Sequence, residues 1–259
     1  MTDRVHLTLG RVASLELDNP PLNIVDAALL EDLEAAIAQL ETAPPGDVRA
    51  VVVSGRGERA FSVGSDVKEF EAHRASGSAE RFELEARIAQ RLAGLPMPTI
   101  AAIEASALGG GLELALCCDL RVASERAKLG LPEVRLAVTP STGGTQRLPR
   151  IVGMSRAKEL LLTGRVIDAA EALRIGLVNE VVPAGRAVAR AREIGKEIAE
   201  RGPLAVRAVK ALMDDALDRP LADGHRAEVE TSVRIFATDD LLEGARSFVE
   251  KRPPTYHGR

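Results

Sequence analysis

Apolar and polar positions alternate along residues 4–18: Val5, Leu7 and Leu9 lead into Gly10-Arg11, and Val12, Ser14 and Glu16 follow, which predicts a hairpin at the start of a sheet. Asn19-Pro20-Pro21 ends it. After Asp26 the period lengthens. Leu30, Leu33, Ile37 and Leu40 recur at helical spacing, Asp26 is placed as the N-cap, and Pro44-Pro45-Gly46 stops the helix. The short apolar run 48–53 predicts a fully buried strand, and further strands are predicted over 99–104, 120–123 and 177–182. Helical or glycine-rich sequence separates them, so roughly the first 180 residues predict an α/β fold of repeated strand–turn–helix units. Beyond Pro183 the character changes to helix-length segments at 185–201, 203–218, 220–237 and 239–251, a helical region that caps the core or builds a subunit interface.

Composition narrows the partners. Apolar residues make up 46% and charged residues 28% of 259, as in ordinary globular proteins, which excludes a disordered or low-complexity chain. One Tyr, five Phe and no Trp leave little for base stacking, and the net charge of −4 argues against nucleic acid as the main partner. A ligand must then be held by backbone and aliphatic groups. Cys117 and Cys118 are adjacent in an apolar run, a spacing that fits neither zinc nor a disulfide framework and predicts buried small hydrophobes. His6, His73, His225 and His257 are scattered without metal or triad spacing. Residues 1–6 lack a signal-peptide pattern, and no apolar stretch approaches the ~20 residues of a membrane span, so a cytoplasmic location is expected.

Four segments bear on chemistry. Gly55-Arg56-Gly57-Glu58-Arg59-Ala60 matches the loose dinucleotide pattern, but Phe61 to Gly64 follow where a helix should open, so a surface turn is expected. Gly64-Ser65-Asp66 reads as a turn into a helix N-terminus, where backbone N–H groups can meet an anion or a carbonyl oxygen. Gly109-Gly110-Gly111 directly after an apolar strand implies close backbone approach to a neighbour or a ligand. Glu113 then lies in the first turn of a helix otherwise made of Leu, Ala and Cys, and Glu133 sits in an extended apolar loop. Either carboxylate can have a structural role, Glu113 by complementing the helix dipole. Brought together, the pair could act as acid and base around one substrate, with backbone N–H groups as an oxyanion hole.

Taken in order, Phe61-Ser62-Val63-Gly64-Ser65-Asp66-Val67-Lys68, Ala107-Leu108-Gly109-Gly110-Gly111-Leu112-Glu113-Leu114-Ala115, Pro132-Glu133-Val134, 143–150 and Phe248-Val249-Glu250-Lys251-Arg252 resemble the enoyl-CoA hydratase/isomerase (crotonase) superfamily over nearly the whole chain. The resemblance implies a spiral of strand–strand–helix turns over residues 1–190, followed by a helical trimerisation region at 191–259, with trimers commonly paired into hexamers. It implies an acyl-CoA thioester as ligand, with CoA part of the substrate and no further cofactor, metal, membrane or nucleic acid. By similarity, the N–H groups of Ser65 and Gly110 form the oxyanion hole, Ser65 standing where Ala is usual. Ser65, Asp66, Val67 and Lys68 line the CoA site, and Phe248 and Lys251 are lent by a neighbouring subunit. Glu113 matches the base that activates water and Glu133 the acid that protonates the α-carbon, a pairing that favours hydration of a trans-2-enoyl-CoA. The alternatives within the resemblance are double-bond isomerisation, decarboxylation or carbon–carbon bond formation, and a non-catalytic assembly or RNA-binding role. Ala105, Ala137 and the loop pair Ser141-Thr142, which abuts the catalytic water in hydratases, depart from the common pattern. The polar segment 71–81 corresponds to a region that helps shape the acyl pocket.

Overall fold

A computed structural model describes residues 3–71, 74 and 79–259; His73 and the middle of the polar segment 71–81 fall outside the described residues. The predicted hairpin is present, with β1 (Val5–Thr8) antiparallel to β2 (Val12–Leu17) and Val5 opposite Leu17. Strand β3 (Ile24–Val25) follows, and then α1 (Ala27–Glu41), whose first turn is held by the Asp26 carboxylate accepting the Leu29 N–H at 2.8 Å. The helical spacing read from the sequence is the buried face: Leu30, Leu33, Ile37 and Leu40 are all within the core.

Three chain turns then repeat one pattern. A long strand β4 (Ala50–Gly55) is followed by short strands β5 (Ala60–Ser62) and β6 (Gly64–Ser65), a 3-10 turn at Val67–Glu69 and α2 (Ala79–Ala93). Next come β7 (Thr99–Ile103), β8 (Ser106–Leu108) and α3 (Gly110–Leu116). The third turn begins with β9 (Leu120–Ser124) and β10 (Lys128–Gly130), then a 3-10 turn at Glu133–Leu136, α4 (Gly144–Val152) and α5 (Met154–Thr163). Strand β11 (Ile167–Asp168), α6 (Ala169–Arg174) and β12 (Glu180–Val182) complete the core. The long strands form a six-stranded sheet in the order β1-β2-β4-β7-β9-β12, parallel except for the hairpin, and the short strands form a four-stranded sheet β11-β10-β8-β5 beside it. This is the strand–strand–helix spiral that the resemblance implied.

Parallel strands covered on both faces read as continuous apolar runs. On one face Val51, Val53, Ala101 and Ile103 join the main core with α1 and α2, and on the other Val52, Ile100, Ala102 and Val122 pack against Ala187 and Ala191 of α7 (Ala187–Ala199). The expected boundary at residue 190 therefore falls inside a helix that belongs to the sheet. The segments read as C-terminal helices are α7, α8 (Pro203–Asp214), α9 (Leu221–Phe236) and α10 (Asp239–Glu250). They are tied back to the core by polar contacts. Buried Arg49 donates to the Ala199 carbonyl at 2.9 Å and the Tyr256 carbonyl at 2.6 Å, Asp240 accepts the His257 and Gly258 N–H groups at 2.7 and 2.8 Å, and Lys210 pairs with Asp119. Cys117 and Cys118 are buried, as expected, and the 55–60 segment is a turn between strands rather than the start of a helix. Among the described residues, no helix is long and apolar enough to cross a membrane.

Candidate active site

Pairing of β3 with β6 sets Ile24 opposite Gly64 and Val25 opposite Ser65, and the Ser62 hydroxyl, donating to the Asn23 carbonyl at 2.6 Å, locks the preceding residues. Gly64 has φ +82°, and a Cβ there would lie 2.7 Å from the Gly110 nitrogen, so only glycine lets this turn abut the start of α3. Gly109 has φ +53°, and a Cβ on it would point at the Glu133 carboxylate, 3.4 Å from Oε1. The glycine run is thus compressed between the Ser65 turn and Glu133, and Ser65, Gly110, Glu113 and Glu133 all line one cavity of about 560 Å³. A cavity of that size suits a small-molecule acyl group. Val25, Leu30, Ile88 and Val138 supply apolar wall, and Ser141 and Thr142 the facing loop.

The two glutamates have contrasting surroundings. Glu113 is buried, and its Oε1 accepts the Thr142 N–H at 2.8 Å and the Gly144 N–H at 2.7 Å. Burial pushes its pKa up, the two N–H donors pull it back, and the charge of Glu85 pushes it up again. Glu133 begins the 3-10 turn after Pro132, and both its carboxylate oxygens are buried without a hydrogen-bond partner. Burial is the main reason its pKa is raised to about 7; its own backbone N–H pulls it back somewhat, and the Glu113 charge pushes it up again. Ala137 closes that turn in the left-handed region at φ +57°, where the sequence pattern commonly has glycine.

Of the other residues singled out by sequence, Val67 lines the cavity at its exposed rim. Asp66 instead caps the turn, accepting the Lys68 N–H at 2.9 Å, and Lys68 is exposed; neither lines the cavity. Phe248 is 85% exposed near the end of α10 and Lys251 is that helix's left-handed cap, so within one chain neither is brought to the cavity. Sequence reasoning missed Glu85, a third buried carboxylate in the lining, held by Arg81 at 2.9 Å. The available signal was an ordinary i,i+4 pair on a polar helix.

A two-sheet spiral with paired glutamates beside glycine turns is the crotonase fold. The chain belongs to the enoyl-CoA hydratase/isomerase family, whose model matches residues 8–259. It is similar to the short-chain-enoyl-CoA hydratase of Clostridium acetobutylicum, with 37% identity over 94% of this chain and 93% of that one. It is also similar to the mitochondrial methylglutaconyl-CoA hydratase of mouse, with 40% identity over 91% of this chain and 76% of the relative. Among solved structures, the enoyl-CoA hydratase of Bacillus anthracis superposes with a TM-score of 0.94 at 39% identity, covering 99% of this chain and 100% of that one. The protein is therefore a crotonase-family enzyme acting on an acyl-CoA thioester.

Proposed function

We propose that the chain is an enoyl-CoA hydratase that adds water reversibly, with syn stereochemistry, to a trans-2-enoyl-CoA to give a 3-hydroxyacyl-CoA. The observation that carries this reading is the unequal treatment of two carboxyls in one cavity. Burial raises the pKa of both, but two backbone donors at Glu113 oppose the rise, whereas Glu133 lacks such a pair and holds its proton up to about pH 7. Acid and base are assigned by such a divergence. In the forward direction Glu113 takes a proton from water as its oxygen bonds to C3, electrons move to the thioester oxygen, and the N–H groups of Ser65 and Gly110 stabilise the enolate. Glu133 then gives its proton to C2. Proton exchange with solvent restores both carboxyls. Each backbone donor at the oxyanion contributes about 3 kcal/mol to the transition state, and each proton-transfer group about 10²–10⁴ in rate.

CoA is bound in this reading along Ser65 to Lys68, with Phe248 and Lys251 contributed by a neighbour in a trimer, itself paired into a hexamer. The apolar side chains that α8 and α9 leave exposed, among them Met213, Leu221, Val229, Val233 and Phe236, support such an assembly. Light scattering should give a trimer or hexamer mass; a monomer would remove the neighbour's contribution. No cofactor is required, CoA being part of the substrate. The decisive assay follows loss of enoyl-thioester absorbance with crotonyl-CoA and longer analogues. No turnover at any chain length, by folded protein that binds CoA, would overturn the reading in favour of isomerisation or decarboxylation at the same oxyanion hole.

A further inference from the structure

The walls of the cavity grade from exposed to closed. Val67 and Leu136 are 54% and 55% exposed, whereas Val25, Leu30, Ile88 and Glu85 are at most 5% exposed and form a closed wall. With the thioester at Ser65 and Gly110, an acyl tail held within the cavity packs on that wall. The wall is not purely apolar. Arg81 Nε donates to Glu85 Oε1 at 2.9 Å and Arg81 Nη2 donates to the Val25 carbonyl at 2.9 Å, with the two side chains 13% and 6% exposed. The second oxygen, Oε2, has the Ser141 hydroxyl at 3.4 Å, too long for a good O–H···O bond.

We propose that Glu85 Oε2, with Ser141 beside it, is a hydrogen-bond-accepting subsite for the acyl tail, selecting a short enoyl group that carries a donor such as a hydroxyl. The warrant is the cost of the alternative. A plain alkyl tail packed here would strip the remaining solvation from a buried ion pair that Leu or Ile could replace without loss. A donor instead completes the oxygen that Ser141 reaches poorly, and a hydrogen bond to a charged acceptor gives about tenfold or more in affinity. Arg81 fixes the carboxylate and offsets its charge.

The inference rests on the acyl-CoA reading for the placement of the tail, so it is tested by binding rather than turnover. Calorimetry would compare saturated acyl-CoAs, which need no hydration chemistry: ω-hydroxyacyl-CoAs of graded length and alkanoyl-CoAs of the same heavy-atom count. At the length that reaches Glu85, the hydroxyl ligand should bind about tenfold tighter than its alkyl isostere. The double substitution Arg81→Met, Glu85→Leu, which leaves neither charge unpaired, should abolish the preference. Equal binding of hydroxyl and alkyl tails at every length would overturn the subsite, as would a preference that survives the double substitution. If that variant does not fold, the wild-type series decides alone. A clear hydroxyl preference without hydration of any enoyl-CoA would remove the hydratase reading and leave the subsite standing; hydration without the preference would do the reverse.

Discussion

Replacing Glu133 by Gln should remove most of the activity and, at alkaline pH, make the protein more stable. The magnitude follows from the site. A carboxyl whose ordinary value of 4.5 is raised to about 7 in the folded state costs about 3 kcal/mol once it must ionise there. The folded state holds its proton across that window while the unfolded chain has lost it, so the wild type loses stability as pH rises from about 4.5 and has lost all of this contribution above about 7. Glutamine carries no such titration. Urea unfolding at pH 5, 6, 7 and 8 should therefore show the variant gaining on the wild type by under about 1 kcal/mol at pH 5 and by about 3 kcal/mol at pH 8, relative to acid. Any constant offset from burying the amide leaves that slope unchanged. If Glu133 is the α-carbon's proton donor, as proposed, turnover of crotonyl-CoA should fall by about 10²–10⁴. A stability difference that does not change with pH would refute the argument that burial without a partner sets the proton affinity of Glu133.

Glu113→Gln should lower hydration by about 10²–10⁴, or about 3–5 kcal/mol in activation free energy, with CoA-ester affinity retained in calorimetry; wild-type turnover would refute its role as base. In the wild type, kcat/KM should decline above about pH 7 as Glu133 ionises, and a flat profile into the alkaline range would contradict the acid assignment. Gly64→Ala meets both φ +82° and a Cβ 2.7 Å from the Gly110 nitrogen, so it should lower the melting temperature by the equivalent of about 2 kcal/mol or more and reduce turnover. An unchanged melt would mean that the turn relaxes freely. Ala137→Gly relieves the left-handed alanine at φ +57° and should stabilise by up to about 1 kcal/mol in the same measurement, whereas a lower melt would refute strain there.

The parts of the fold with a clear period were legible: the hairpin at Gly10, α1 with its Asp26 cap, the strands of the large sheet and the C-terminal helices. The second sheet was not, because β5, β8 and β10 span three residues each, too few for alternation to register. Helix α4 was hidden by Gly143-Gly144 at its start and Pro149 inside it. Glu113 and Glu133 stood out as carboxylates in apolar sequence, but their convergence depends on β10 lying beside β8, a pairing no local pattern encodes. Glu85 was invisible for the opposite reason. Four residues from Arg81, it has the sequence pattern of a solvated helix pair, and only the fold turns that face into a cavity wall.

Aromatic side chains are scarce in this chain, and the cavity's polarity comes from charged side chains together with main-chain N–H groups. Three glutamates share one lining and differ in what touches them: two backbone N–H groups at Glu113, no donor at Glu133, a guanidinium at Glu85. Among the described residues, the donors at Glu113 come from the Thr142–Gly144 turn and the guanidinium at Glu85 from one helical repeat on α2, whereas the Pro132 turn brings no full hydrogen bond to Glu133. Residue type alone therefore does not assign roles here. Because burial raises the pKa of both Glu113 and Glu133, the difference between those two follows from their partners, and substitutions that move the Thr142–Gly144 turn should alter Glu113 while leaving the tail selectivity of Glu85 in place.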